Sequence, residues 1–187
     1  MPLDPFDAEA LARRLLDGPL PRRWSHVLAV ARKARLLGPE LGDDAGLLEA
    51  TAWVHDIGYA PDLAVIGFHP LDGARYLNEE GAPRRVVDLV AFHSSAWVEA
   101  QEFGVADELA EFHDERTLTR DLLWYCDMTT GPDGTDFEFE DRMTEVRERY
   151  GPDHYVTRAL DVGMDERRAA VGRSREWLTS VGLADQV

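Results

Sequence analysis

Residues 51–60, "TAWVHDIGYA", decide how the rest of this chain is interpreted. They complete a stretch of helical periodicity, residues 43–57, whose apolar side chains lie all around the helix axis, as in a helix buried in a protein core. His55 and Asp56 nevertheless stand side by side in this stretch. An unpaired carboxylate is costly to bury, so we expect Asp56 to be paired or bound to a cation.

Length and composition predict one domain with a sizeable core, because 44% of the 187 residues are hydrophobic. The net charge of −16 argues against a nucleic-acid polymer or an anionic membrane as partner. A small phosphorylated ligand stays acceptable where a bound cation reverses the local charge. As partners we therefore expect a small substrate, and we allow for a homodimer.

The cellular setting is predicted from what the sequence lacks. Cys126 is the single cysteine, so neither an internal disulfide nor a cysteine-based zinc site can form. The N-terminal segment is acidic and has no signal-peptide core, and no run approaches the roughly 20 apolar residues of a membrane span. We expect a soluble, cytoplasmic protein.

Helical periodicity dominates the chain, and no stretch alternates as a strand would, so we predict an all-α fold. Gly38 and Pro39 are expected to end the second helix, and Pro70 to begin the fourth. The predicted helices are residues 7–17, 23–37, 43–57, 70–80, 83–94, 106–112, 119–130, 140–150 and 152–181.

Polar side chains also recur on apolar helix faces elsewhere. His93 follows apolar residues at offsets of three, four and seven, which places it on the apolar face of its predicted helix. Asp127 follows apolar residues at offsets of three and four. His26 lies at the edge of an apolar arc, and His69 stands just before Pro70.

A single inward histidine is most often a core residue bonded to a backbone carbonyl. Four of the six histidines and two aspartates in inward or helix-start positions instead predict a metal site between helices. Imidazole and carboxylate ligands without a thiolate suit iron, manganese, cobalt, nickel or zinc, and the sequence does not choose among them. His113 and His154 lie in charged, irregular surroundings and keep the structural interpretation.

The ordered series of these residues resembles the HD-domain metal-dependent phosphohydrolases of the HDIG type. The segments "FHPLDGARYL" at residues 68–77 and "VAFHSS" at residues 90–95 are similar to those that supply two extra histidines in the binuclear branch. Many relatives have a lysine at the position of Tyr59. The series is His26, His55, Asp56, His69, His93 and Asp127.

The resemblance implies a helical bundle forming a single HD-type domain over residues 1–187. Its core spans about residues 20–130, and residues 131–187 form a helical extension packed outside. It also implies one or two divalent transition-metal ions. The first ion would be held by His26, His55, Asp56 and Asp127. The second would be held by His69 and His93, with Asp56 bridging.

The implied activity is hydrolysis of phosphate ester or anhydride bonds in a small phosphorylated substrate, a nucleotide above all, by metal-activated water. Asp56 and Arg23 are the candidate catalytic residues. Arg23 lies three residues before His26 and so on nearly the same helical face. The candidate substrate contacts are Arg23, Arg22, Arg75 and Ser94.

Two other functions use the same ligand series. One is a di-iron oxygenase on an HD-domain scaffold, because the ligands are shared and the chemistry depends on metal and pocket. The other is a non-catalytic module that binds metal and nucleotide as a sensor. A serine hydrolase is excluded because no G-x-S-x-G element is present, and no P-loop occurs either.

Overall fold

The computed structural model describes residues 3–186, and it confirms the all-α fold. The extended pairing in these residues is limited to one isolated antiparallel bridge between Thr130 and Asp136. None of their helices has the length and apolar character that a bilayer crossing requires. The α-helices are α1 (Pro5–Leu16), α2 (Pro21–Leu41), α3 (Ala45–Val54), α4 (His69–Glu79), α5 (Arg84–Ala91), α6 (Ala96–Phe103), α7 (Ala106–Leu109), α8 (Leu118–Met128), α9 (Phe139–Tyr150), α10 (Tyr155–Val162) and α11 (Met164–Ser180).

Helix α3 is the centre of the bundle. It packs against α1, α2, α5 and α8, and most of its apolar side chains, among them Leu48, Trp53 and Val54, are fully or almost fully buried. Trp53 stacks on Trp24 of α2 with 5.8 Å between the ring centroids. The prediction of a buried helix is therefore confirmed, and the start of the "HDIG" segment lies inside the core.

The predicted end of the second helix is wrong, because α2 continues through Gly38 and Pro39 to Leu41. Gly38 allows close approach of the next helix: a Cβ atom at Gly38 would lie 3.4 Å from that of Ala45. Pro39 lies in the last turn of α2, where the lost N–H removes only one helical hydrogen bond. The residue after the helix is Gly42, which has a positive φ of 63°.

The third predicted helix ends earlier than expected. Helix α3 stops at Val54, His55 and Asp56 form a turn, and the 3-10 turn Ile57–Tyr59 follows. The cause is close packing, because a Cβ atom at Gly58 would lie 2.0 Å from the carbonyl oxygen of His69. The His-Asp pair therefore lies just after a buried helix and not inside it.

The fifth helix also ends before its histidine. Helix α5 stops at Ala91, and the indole Nε1 of Trp124 donates to the Phe92 carbonyl at 3.0 Å. His93 begins the 3-10 turn His93–Ser95, in which Ser94 and Ser95 adopt left-handed backbone angles with φ of 50° and 64°. This tight turn leads directly into α6, which the sequence did not predict.

The last predicted helix is two helices, α10 and α11, separated at Gly163. The buried guanidinium of Arg167 explains the break. Its Nη1 donates to the carbonyl oxygens of Ala159 at 3.0 Å and Leu160 at 3.3 Å, at the end of α10. Helix α11 packs on α8, and α10 packs on α6 and α9, so these helices cover one side of the bundle.

Candidate metal centre

Three histidines form hydrogen bonds from Nδ1 to backbone carbonyl oxygens: His26, His55 and His93. A carbonyl oxygen only accepts hydrogen bonds, so each Nδ1 carries the hydrogen and leaves Nε2 as the ligand atom. This arrangement fixes the ring orientation before any ion binds. The carbonyl partners belong to Gly131 (3.0 Å), Ala52 (2.7 Å) and Val90 (2.6 Å), respectively.

The first cluster lies between α2, α8 and the turn after α3. Asp56 Oδ2 lies 3.6 Å from His26 Nε2 and 3.4 Å from His55 Nε2. Asp127 Oδ1 lies 3.0 Å from His26 Nε2 and 3.9 Å from His55 Nε2. His26, His55 and Asp56 therefore form a group that could hold a metal ion, and Asp127 lies beside the two histidines.

The second cluster lies at the start of α4 and the end of α5. His69 Nε2 and His93 Nε2 are 3.1 Å apart. Asp56 Oδ1 lies 3.4 Å from the first nitrogen and 3.6 Å from the second. Each oxygen of the Asp56 carboxylate thus faces a different pair of histidines, which is the geometry of a bridging ligand.

These donors fit transition-metal ions. Two ligands about 2.1 Å from one ion, at angles of about 90–110°, lie about 3.0–3.4 Å apart, close to most of the separations above. The fully buried Nε2 of His55 has no hydrogen-bond partner within residues 3–186, and an ion would satisfy it. The residues present can therefore hold one ion in each cluster.

The surroundings of Asp56 keep this carboxylate ionised, as the binding of a cation requires. Burial opposes ionisation of Asp56, but the Arg23 guanidinium and His55 hold its pKa well below the usual value. Burial likewise opposes the His55 imidazolium, yet the Asp56 carboxylate raises the pKa of His55 to about 9. Burial lowers the pKa of His69, which keeps this imidazole neutral for metal binding.

Arg23 belongs to the site, as its spacing from His26 predicts. Its Nη1 donates to Asp56 Oδ2 at 2.5 Å, and its guanidinium lies 4.0 Å from the centroid of the Tyr59 ring. Tyr59 in turn stacks on His69 with 3.9 Å between ring centroids. The Tyr59 ring therefore supports both Arg23 and His69, a candidate metal ligand.

The other three predicted substrate contacts lie in different places relative to the cleft. Ser94 lines the cleft, but its hydroxyl donates to Asp127 Oδ2. Arg22 is exposed in an adjoining groove that Arg23 also lines. Arg75 lies outside the cleft, near Glu108, because it stands six residues after His69 and so about 240° around α4.

The C-terminal helices close the cleft over the two clusters, which the sequence did not reveal. They contribute cationic and aromatic side chains, and α6 contributes Glu99. The apolar positions Met143, Val146 and Tyr150 on α9 are spaced by three and four residues, which predicts an inward face but not the surface it covers. The cleft residues that sequence reasoning missed include Tyr59, Glu99, Arg142, Met143, Arg149, Tyr150, Tyr155 and Arg167.

Comparison with known proteins decides the family. A family model described as "HD domain" matches residues 23–126, more than half of the chain. The chain belongs to the HD domain family. Membership in this family suggests metal-dependent phosphohydrolase chemistry, and the histidine-aspartate clusters described above could bind the metal. Asp127 lies one residue beyond the matched segment.

The curated relatives of this HD domain protein are partial matches. Ribonuclease Y of Thermus thermophilus is 38% identical over 68 residues, which are 36% of this chain and 12% of that protein. Ribonuclease Y of Acetivibrio thermocellus is 39% identical over 69 residues, 37% of this chain and 13% of that protein. The chain thus spans about an eighth of the length of these relatives. No solved structure matches it.

Two histidine variants distinguish the two clusters. We expect His69→Ala to lose one of two bound ions and His55→Ala to weaken or empty the first cluster, because the two side chains face different oxygens of Asp56. Metal content per chain after desalting measures this. The exposed His113 supplies the control, since His113→Ala should keep the wild-type content. Equal content in wild-type protein and His69→Ala would contradict the second cluster.

Proposed function

We propose that this HD domain protein is a metal-dependent hydrolase of phosphate ester or anhydride bonds in a small phosphorylated substrate, with a nucleotide as the leading candidate. The observation that carries the proposal is the bridging position of Asp56, whose two oxygens face separate histidine pairs. When bound, divalent ions in such a site polarise phosphoryl oxygens and acidify water. The protein is then an enzyme and not a sensor.

The chain's own residues supply orientation and charge. The rings of His26, His55 and His93 are fixed by buried hydrogen bonds to backbone carbonyls, so little reorganisation is needed during reaction. The Arg23 guanidinium beside Asp56 is placed to bind a phosphoryl oxygen and to neutralise charge that develops on it. The surrounding helices limit the access of bulk water to this centre.

The walls of the cleft favour a small substrate with an apolar or aromatic part. Tyr150 and Tyr155 line the cleft together with apolar residues of α9 and α10, and their rings suit a nucleobase. Arg149 lines both the cleft and the adjoining groove, which gives an anionic ligand a cationic entrance. The net charge of −16 disfavours a nucleic-acid polymer, although the relatives are named as ribonucleases.

A substrate panel tests this function. Purified protein supplemented separately with Mn²⁺, Co²⁺, Ni²⁺, Zn²⁺ or Fe²⁺ would be incubated with nucleotides, cyclic dinucleotides, an aryl phosphodiester and an RNA oligonucleotide. We expect metal-dependent turnover of at least one small substrate and little cleavage of RNA. Preferential RNA cleavage would contradict the small-substrate proposal. Oxygen uptake without phosphoryl hydrolysis would favour the di-iron oxygenase instead.

Arg23→Ala tests the phosphate contact. We expect KM for the active substrate to rise about 10- to 100-fold, because a hydrogen bond to a charged group contributes about 1.5–3 kcal/mol. Metal content should stay at the wild-type level. Arg35→Ala is the matched control on α2, because Arg35 pairs with Glu49 outside the cleft. An unchanged KM in Arg23→Ala would remove Arg23 from substrate binding.

A further inference from the structure

Glu99 is a third carboxyl group in the cleft, separate from the two aspartates that face the histidines. The turn that presents His93 leads into α6, and Glu99 lies in the first turn of this helix. Its side chain is only 17% exposed, and it lines the same cleft as Asp56 and His69. Glu99 belongs to neither of the residue groups that could hold a metal ion.

Glu99 is held from the C-terminal layer. Nη2 of Arg167 lies 3.3 Å from Glu99 Oε1, and the Arg167 side chain is itself only 2% exposed. The same guanidinium binds two carbonyl oxygens at the end of α10, which fixes its position. The contact orients the Glu99 carboxyl group without requiring a metal ion.

Burial and charged neighbours act on the Glu99 carboxyl group in opposite directions, and their net effect raises its pKa. Burial raises its pKa, and the carboxylates of Asp127 and Asp56 act in the same direction, while Arg167 and His93 oppose the change. A carboxyl group with a raised pKa is better suited to donate a proton during a reaction. The charged or titratable groups that act on Glu99, or on which Glu99 acts, are Arg167, His93, Asp127, Asp56, Tyr59 and Tyr155.

We propose that Glu99 is the general acid of the hydrolysis, positioned by Arg167, and that the substrate is therefore a phosphate ester of an alcohol. This inference rests on the proposed function. An alkoxide is a much stronger base than phosphate, so an ester with an alcohol leaving group needs a proton donor far more than an anhydride does. The presence of a positioned acid selects the ester.

The proposed step conserves atoms and charge. The water oxygen forms a bond to phosphorus while the bond from phosphorus to the alcohol oxygen breaks, and that oxygen keeps the electron pair. The Glu99 carboxyl group gives its proton to the leaving oxygen. The attacking water keeps one proton on the phosphate product and releases the other to solvent, from which Glu99 regains a proton.

Other groups in the cleft are poorer donors. Asp56 and Asp127 face the histidine clusters as ligands. Burial raises the pKa of Tyr59 well above its usual value, which makes the phenol a weaker acid, and its ring lies between Arg23 and His69. Arginine does not give up its proton in proteins. Glu99 is the cleft residue that combines acidity with a fixed position.

A comparison of leaving groups tests the assignment in the metal-loaded, full-length protein. Glu99→Gln would be assayed with a nucleoside phosphate ester and with the 4-nitrophenyl ester of the same phosphoryl group. We expect kcat to fall about 10²- to 10⁴-fold for the nucleoside ester, the usual contribution of a general acid. The nitrophenyl ester should be hydrolysed at nearly the wild-type rate, because nitrophenolate leaves without a proton.

A control variant and the wild-type protein show which proposal each outcome would overturn. Glu102→Gln, on the exposed side of α6 where Glu102 pairs with Arg158, should change neither rate. Equal losses with both esters, or no loss, in a metal-loaded Glu99→Gln protein would overturn the assignment alone. Wild-type protein that hydrolyses an anhydride but neither ester would overturn the ester inference alone. Protein that hydrolyses none of the phosphorylated panel compounds would contradict the proposed function as well.

A second measurement does not depend on the folding of a variant. In wild-type protein, kcat/KM across a series of alkyl and aryl esters should depend only weakly on the basicity of the leaving group, because Glu99 protonates the poor leaving groups. A steep dependence, with alkyl esters far slower than aryl esters, would show that no acid assists the departure and would overturn the assignment.

Discussion

Asp56→Asn should abolish activity and remove both metal ions. The carboxylate lies between the two histidine pairs, and an amide offers one weak oxygen ligand and no negative charge to offset the ions. We expect kcat to fall on the order of 10³-fold or more, since the electrostatic stabilisation of the transition state is lost with the ions. Metal analysis and turnover of the best panel substrate measure the two effects.

A matched variant separates this effect from simple destabilisation. Asp121 is also a buried aspartate paired with an arginine, Arg173, but it lies outside the cleft. Asp121→Asn should lower the melting temperature and keep both ions and activity. If Asp56→Asn retained its metal and lost no more activity than Asp121→Asn, Asp56 would not be the bridging ligand.

Gly58→Ala should have the largest effect on folding among single-methyl changes. The added Cβ would lie 2.0 Å from the carbonyl oxygen of His69 and 2.7 Å from the backbone nitrogen of Gly73. Backbone atoms of α4 cannot move aside as a side chain can, so the turn after α3 and the start of α4 must separate. We expect a loss of about 3 kcal/mol, or about 6–12 °C in melting temperature.

The same change should also damage the second metal cluster, because it displaces His69 relative to Asp56. Thermal unfolding and metal content of the purified variant measure both effects. Gly46→Ala is the control, since a Cβ atom at Gly46 in α3 would meet nothing within 4 Å and should stabilise the helix by up to about 1 kcal/mol. Unchanged stability of Gly58→Ala would contradict the close packing.

The helix faces of His26 and Asp127 could be predicted from sequence, because regular periodicity along α2 and α8 fixes which side chains point inward. His55 and His93 were expected inside helices but lie in turns just after them. There tertiary packing, at Gly58 and at Trp124, ends the helix where periodicity alone would continue it. The sequence therefore predicted correctly that His55 and His93 are buried, but it predicted the wrong local backbone structure for both.

The C-terminal layer could not be predicted in the same way. Periodicity shows that α9 and α10 have apolar faces, but it does not show that these faces cover a polar cleft. Glu99 and Arg167 illustrate the limit, because an acid and an arginine 68 residues apart look like surface residues until packing brings them together. Arg75 shows the converse error. It is close to His69 in sequence, but it lies on a different side of α4.

The most direct test of the bridging role of Asp56 is an anomalous-scattering diffraction experiment on crystals of the full chain soaked in Mn²⁺ or grown with Fe²⁺. We expect two anomalous peaks, one on each side of the Asp56 carboxylate, the first shared with His26, His55 and Asp127 and the second with His69 and His93. Fully loaded crystals with no peak within bonding distance of Asp56 would contradict the metal centre and the hydrolase proposed from it.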